Sequence, residues 1–313
     1  MKRYVLAILA LLFVASGAVA HNPKAWRKMK GGVCVFMTSD IGREGSYDQQ
    51  VVAELMGEMA GKLKPKCIVT TGDNHHGNGV RNVKDNDWMQ NFTSIYTHPK
   101  LAKISWYPAI GNHEYRGNTQ ALIDFSSVDS RWDMPNRYYT KVVEGKGTTI
   151  RFVIIDTTPL INRYRESNKY PDAALQDKEQ QLEWLDDVLS KAKEDWVIVA
   201  GHHPIHADTK KSKQERTDMR NTVDKILRKH SNVAMYVCGH IHNFQHLRDK
   251  KSHIDYIVNT SGAMSRTSVR ETKRTKYCSG ETGFSVLTAT KSELKLHMID
   301  KNGNILNTVK RHK

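Results

Sequence analysis

Short apolar runs punctuate the chain, rich in β-branched and aromatic residues and bounded by Gly, Asn or Asp. They begin at Val33 (VCVFMT), Cys67 (CIVTT), Trp106 (WYPAI), Ile150 (IRFVIID), Trp196 (WVIVA), Val233 (VAMYVC), Tyr256 (YIVNT), Phe284 (FSVLT) and Glu293 (ELKLHM). That composition and punctuation predict strands. Several runs are apolar almost throughout, the pattern of strands covered on both faces. Between them the period lengthens. After Ser46, residues Val52, Leu55, Met56, Met59 and Leu63 fall on one helical face. A second helix is predicted from near Asp177, with Gln180 at the capping-box position and a stripe of Leu182, Leu185, Val188, Leu189 and Ala192. A third runs from about Met219 to Lys229, turning Val223, Ile226 and Leu227 inward. Strands alternate with helices and give way to strands near the end, which predicts an α/β layered fold finished by an antiparallel portion.

No repeat, low-complexity tract or Pro/Gly-rich linker interrupts residues 21–313, and they are read as a single domain. Before them, Lys2 and Arg3 precede an apolar run from Val5 to Val14 and the small residues Ala18-Val19-Ala20. This is the pattern of a secretory signal over residues 1–20, cut before His21. The run is short for a bilayer span, so a secreted or periplasmic protein without a membrane anchor is expected. The formal charge of +15 favours anionic partners. The Lys and Arg residues are scattered, without the arginine-rich arm or aromatic-interleaved patch of a nucleic-acid binder. Cys34, Cys67 and Cys238 lie inside strand patterns as small apolar residues, Cys278 reads as a loop residue, and no disulfide is specified.

Five of the strand-like runs are followed by motifs that carry donor atoms. They are Asp40 in SDIG, Asp73 in GDNHH, Asn112 and His113 in GNHE, His202 in GHHP, and His240 with His242 in GHIH. Strand ends lie side by side at the carboxyl edge of a sheet, where ligands bind in open α/β folds. Two carboxylates there suit hard or borderline cations. Asn112 adds an amide oxygen without adding charge, and His113 is free to act as an acid. If GHIH is extended, His240 and His242 share a direction and address two neighbouring ions. Singly, such residues are more often caps, turn formers or loop histidines. Five motifs at five strand ends are not explained that way.

These motifs lie within LAKISWYPAIGNHEYRGN, EDWVIVAGHHPIH and CGHIHNFQHLRD, accompanied by RWDMPNRYY and GFSVLTATKSELKLHMID. Together they resemble the calcineurin-like metallophosphoesterase superfamily, and within it the small purple acid phosphatases of the tartrate-resistant type. The resemblance implies two mixed β-sheets packed face to face with helices outside. It implies two metal ions per chain, Fe(III) with Fe(II), Zn(II) or Mn(II). Asp40 and His242 would hold the first ion, Asn112, His202 and His240 the second, and Asp73 would bridge both. His113 would be the acid. The implied activity is hydrolysis of a small phosphomonoester through direct attack by hydroxide carried on the ions. A phosphodiesterase or nucleotide hydrolase would use the same pair of ions. An exported phosphate- or metal-binding protein with a vestigial site is the non-enzymatic alternative.

The chain departs from the family twice. Where the family places a ferric-binding Tyr, this chain has His76. Imidazole suits Zn, Fe(II) or Mn nearly as well as iron(III), so His76 is expected to ligate the first metal and the protein to lack the purple colour. The further His usual beyond GHHP is absent from ADTKKSKQERTD. His206, and His203 where the family often has Tyr, are candidates to line the substrate pocket.

Overall fold

The computed structural model describes residues 23–266 and 268–313; the leader expected at residues 1–20 lies outside the described residues. Two mixed sheets make up the fold. In the first, β1 (Val33–Thr38), β2 (Cys67–Thr70) and β3 (Ser105–Pro108) are parallel. In the second, β4 (Tyr139–Gly145) pairs antiparallel with β5 (Thr148–Ile154), which runs parallel to β6 (Trp196–Ala200). Next to β6 come β7 (Val233–Cys238) and then β9 (Asp255–Val258), both parallel to it. The antiparallel β8 (Phe244–Arg248) and β10 (Thr275–Ser279) complete that sheet. The chain then returns to the first sheet through β11 (Gly283–Ala289), β12 (Glu293–Asp300) and β13 (Ile305–His312). The spatial orders are β13-β12-β11-β1-β2-β3 and β10-β8-β9-β7-β6-β5-β4.

Every expected run lies on one of these strands. The additional strands β4, β10 and β13 are sheet edges, and β8 lies next to an edge. An edge strand buries fewer of its side chains and so carries more polar residues, as in TKYCS and ILNTVKRH. Central strands read differently: all residues of β1, β6 and β7 are buried. The two sheets face one another across one apolar core that includes Val35, Phe36, Ile68, Ile198, Val199 and Val286.

The first expected helix spans Gln49–Leu63 and buries Val52, Leu55, Met56 and Met59. It stops where Lys64 turns left-handed, at φ 55°, and donates its N–H to the Ala60 carbonyl. The second spans Lys178–Lys191, capped by Asp177, whose carboxylate accepts from the Gln180 N–H at 2.9 Å. Loss of a cap of this kind costs about 1 kcal/mol. The third begins earlier than periodicity suggests. It covers 213–227 and contains a π-helical turn at Arg220–Asp224, a departure associated with functional sites.

The parallel strands decide where the chemistry collects. The turns after β1 and after β9 meet across the sheets. The Asn259 side chain donates to the Met37 carbonyl at 2.9 Å, the Gly262 N–H to the Ser39 carbonyl at 2.8 Å, and the Ser261 hydroxyl to the Asp40 carbonyl at 2.8 Å. All four cysteines are free. Among the described residues, no helix is long and apolar enough to cross a membrane.

Candidate metal centre

Asp40 follows β1 and is fully buried. Its Oδ2 accepts from the Ser39 hydroxyl at 2.5 Å and the His240 N–H at 3.0 Å, and its Oδ1 lies 3.0 Å from His242 Nε2. Asp73 follows β2. Its Oδ1 accepts the His113 N–H at 3.0 Å. Its Oδ2 lies 3.3 Å from His202 Nε2 and 3.8 Å from Nε2 of both His76 and His113. Asp40, Asp73, His76 and His242 form one cluster whose donor atoms lie within 4.8 Å of each other. His202, His203 and His240 form the neighbouring group, with His240 Nδ1 3.2 Å from His202 Nε2. Asn112 is buried after β3, and its amide oxygen has no hydrogen-bond partner among the described residues.

The imidazoles are fixed by what their second nitrogen touches. His202 Nδ1 lies 2.8 Å from the Thr71 carbonyl, and His242 Nδ1 2.8 Å from the Met264 carbonyl. Each can donate there, which leaves Nε2 as the free ligand atom. His240 is turned round: its Nε2 faces the Glu215 carboxylate at 3.1 Å and its Nδ1 faces the site. Glu215 is buried and also accepts from the Tyr164 hydroxyl at 2.9 Å and from Arg163 at 2.8 Å.

The local backbone differs from the extended GHIH expected from sequence. His240 and His242 have φ of 68° and 61°, and Asp40 and Asp73 have φ of 50° and 51°. Left-handed backbone is unfavourable for residues with a β-carbon and costs on the order of 1–3 kcal/mol each at such sites. It sends His240 to His202 and His242 to Asp40, so the two histidines diverge. Two glycines allow the turns to close. A β-carbon on Gly72, itself at φ 91°, would lie 2.7 Å from His202 Nδ1. One on Gly239 would overlap the Ser39 hydroxyl and the Asp40 carboxylate.

Burial opposes charge on Asp73, but His202, His113 and His76 outweigh it and hold the carboxyl well below its ordinary range. Asp40 is likewise lowered, chiefly by His242 acting against burial. Burial also works against a charged His202, yet Asp73 and then Asp40 raise it to about 10. Burial pushes His76 down to about 3. These are the properties of a cation site. Two dehydrated carboxylates need positive charge, protons on imidazole supply part of it, and cations displace those protons on binding. The unpartnered Asn112 oxygen and the two donor clusters fit a pair of metal ions.

His76 reaches the site, whereas its neighbour His75 does not. His75 is buried, with its ring centroid 4.4 Å from that of Trp88. Neither pocket candidate is among the residues that line the cleft above the clusters. His203 is completely buried, and its ring nitrogens lie 2.8 Å from the Thr157 hydroxyl and 3.0 Å from the Tyr164 hydroxyl. With both nitrogens engaged, it supports the wall from behind. His206 is 5% exposed and packs edge-on against Tyr256, 4.6 Å between centroids, away from the cleft above the cluster. That cleft measures about 680 Å³, and its lining includes Asn112, His113, His240, Tyr170, Arg116 and Arg266.

Glu114 was not assigned a role from sequence, although it stands in GNHE. It is fully buried and accepts from Gly111 N–H at 2.6 Å, His75 N–H at 2.8 Å and Asp73 N–H at 3.1 Å. It thereby ties the turn after β2 to the turn after β3. Burial and then Asp73 push its carboxyl up to about 8. The available signal was a charged residue inside an otherwise donor-bearing turn.

Taken together, strand ends of two sheets that gather carboxylates, an amide and imidazoles into adjoining clusters define a dinuclear metallophosphoesterase. Comparison with known proteins agrees. Residues 35–244 match the family model described as calcineurin-like phosphoesterase. Purple acid phosphatase 17 of Arabidopsis thaliana is 34% identical over 260 residues, 76% of this chain and 70% of that protein. Tartrate-resistant acid phosphatase type 5 of Rattus norvegicus is 29% identical over 255 residues, 76% of each chain. Among solved structures, GAP50, the anchor in the inner membrane complex of Plasmodium, superposes with a TM-score of 0.78 at 21% identity, covering 90% of this chain and 89% of that one. The protein belongs to the calcineurin-like phosphoesterase family, and within it to the purple acid phosphatases.

The clamp makes a direct prediction. Glu114→Ala strands three buried N–H donors at about 1–3 kcal/mol each. Urea denaturation should show a loss of at least about 3 kcal/mol, and elemental analysis a loss of bound metal. Full metal content at wild-type stability would show that the clamp is dispensable.

Proposed function

We propose that the chain is an exported phosphatase that hydrolyses phosphomonoesters at a two-metal centre. The observation that supports this reading is the donor set itself. Asp40, His76 and His242 would hold one ion, Asn112, His202 and His240 the other, with Asp73 between them. Residues 1–20 would direct export, and residues 21–313 would act as one catalytic domain. When bound, the ions would supply positive charge for clamping a phosphoryl group and acidifying water. The chain's own residues supply the rest. Arg116 and Arg266 line the cleft, and their guanidinium groups would favour the phosphate oxygens of an anionic ester.

His113 is assigned as the general acid. Its side chain is 19% exposed and lies at the cleft, with Nε2 3.8 Å from Asp73. Its Nδ1 lies 3.0 Å from the Gly77 carbonyl and 3.0 Å from Arg116. A proton on Nε2 can pass to the departing alkoxide. Burial, followed by Arg116, lowers the His113 pKa in spite of Asp73, which makes the imidazolium a stronger acid.

His113→Ala should keep the metals but slow turnover of alkyl phosphates by about 10²–10⁴-fold, the usual contribution of general acid catalysis. Unchanged turnover would remove the assignment. The acid is competent when protonated, so alkyl-ester hydrolysis should fall as pH rises through a value below the usual 6.5 of histidine. A rate that climbs through that range would contradict the role. Asp73→Ala should lose metal, and a variant that retained both ions would refute the bridge. Because His76 provides no phenolate, the purified protein should lack the strong visible absorption of the purple members; a strong visible band would reverse that expectation.

A further inference from the structure

Beside the cleft lies a second cavity of about 400 Å³, which shares Asp208, Thr209 and Arg270 with it. Its walls are cationic. Lys213, Arg216 and Arg220 come from the 213–227 helix, and Arg270 and Arg274 from the segment that leads into β10. Spacings of three and four residues bring the helical cations to one face. Arg216 is 8% exposed and donates to the Lys211 and Thr209 carbonyls. The buried ring of His206 also lines the cavity, and its Nε2 makes no hydrogen bond among the described residues.

Counter-charge is partial: His206 Nε2 lies 3.9 Å from Asp224 and 4.0 Å from Asp249, whereas Lys213, Arg216, Arg220 and Arg270 make no ion pair among the described residues. Asp208 is the carboxylate of the lining, and it already accepts from the Thr272 hydroxyl at 3.0 Å and from the Thr275 hydroxyl. Arg274 lies 3.9 Å from Asp249, a carboxylate that also binds Arg228 at 3.1 Å. Arg220 donates to the Thr217 hydroxyl at 2.9 Å and makes no ion pair among the described residues. Arg220 and Arg274 each lower the pKa of His206, behind burial as the main cause. Guanidinium groups remain charged even when crowded. Like charges drawn into one recess repel unless an anion joins them, and planar guanidinium forks match phosphate oxygens.

We propose that this cavity is a second phosphate site, separate from the metal centre, that binds a non-reacting phosphate group. The group would come either from a substrate that carries two phosphates, one reacting in the adjoining cleft, or from free inorganic phosphate. The first source rests on the phosphatase reading and the second does not.

Arg274 is 53% exposed and lies outside the metal centre, so Arg274→Gln should keep the fold; Arg220→Gln is the companion variant. Calorimetric titration of the metal-loaded full chain with inorganic phosphate should give one more equivalent for wild type than for either variant, or a second site weakened by about tenfold. Equal stoichiometry and affinity in wild type and both variants would overturn the proposal. Kinetics with p-nitrophenyl phosphate and a sugar bisphosphate distinguish the sources. A KM raised about tenfold for the bisphosphate alone assigns the site to substrate. KM values unchanged for both esters, together with loss of one phosphate equivalent, assign it to free phosphate. If neither ester is hydrolysed, the phosphatase reading fails, while the lost equivalent still supports the cavity.

Discussion

Two carboxylates sealed away from water govern this molecule. Asp40 and Asp73 stand at neighbouring strand ends, both buried, where an isolated negative charge is costly. They stay ionised because imidazoles crowd them: His242 on one, and His202, His113 and His76 on the other. Carbonyls orient three of those rings in turn, Thr71 for His202, Met264 for His242 and Gly77 for His113, and the Glu215 carboxylate orients His240 beside them. Each shell of the site answers a charge created by the shell inside it. The left-handed backbone at four of the donors persists because these contacts over-determine it.

The division of labour between the sheets follows from this. The first sheet contributes both carboxylates, His76 and Asn112, and the second contributes His202, His240 and His242. Neither sheet carries a complete site. The hydrogen bonds from Asn259, Ser261 and Gly262 to the end of β1 therefore hold more than a loop. They set the spacing on which both donor clusters depend.

Much of this was legible in sequence because the central strands are buried on both faces, and runs such as WVIVA and VAMYVC can be little else. Donors placed two to five residues beyond those runs had to gather at the carboxyl edge. The edge strands β4, β10 and β13 were not legible, since half-exposed strands share their composition with loops. The site resisted the reading at three kinds of residue. His240 and His242 owe their separate directions to left-handed backbone, which the alternation expected of an extended segment does not anticipate. Glu114 and Glu215 act through partners remote in sequence, such as Asp73 and Tyr164. His203 and His206 looked like residues of the cleft because they follow a donor motif, yet Tyr164 engages His203 behind the wall and His206 lines the adjoining cavity instead.

The place of β1 also constrains how the chain comes together. It lies between β2, some thirty residues on, and β11, whose Ala289 pairs with Val33. One flank of β1 thus stays open until nearly the whole polypeptide is present. Contacts so distant along the chain form slowly because loop closure must precede them. The last donors, His240 and His242, precede β11 in the chain, so the full ligand set is present before the strand that closes this flank of β1. Alignment of the donors, and not their presence, is therefore what the closing segment contributes.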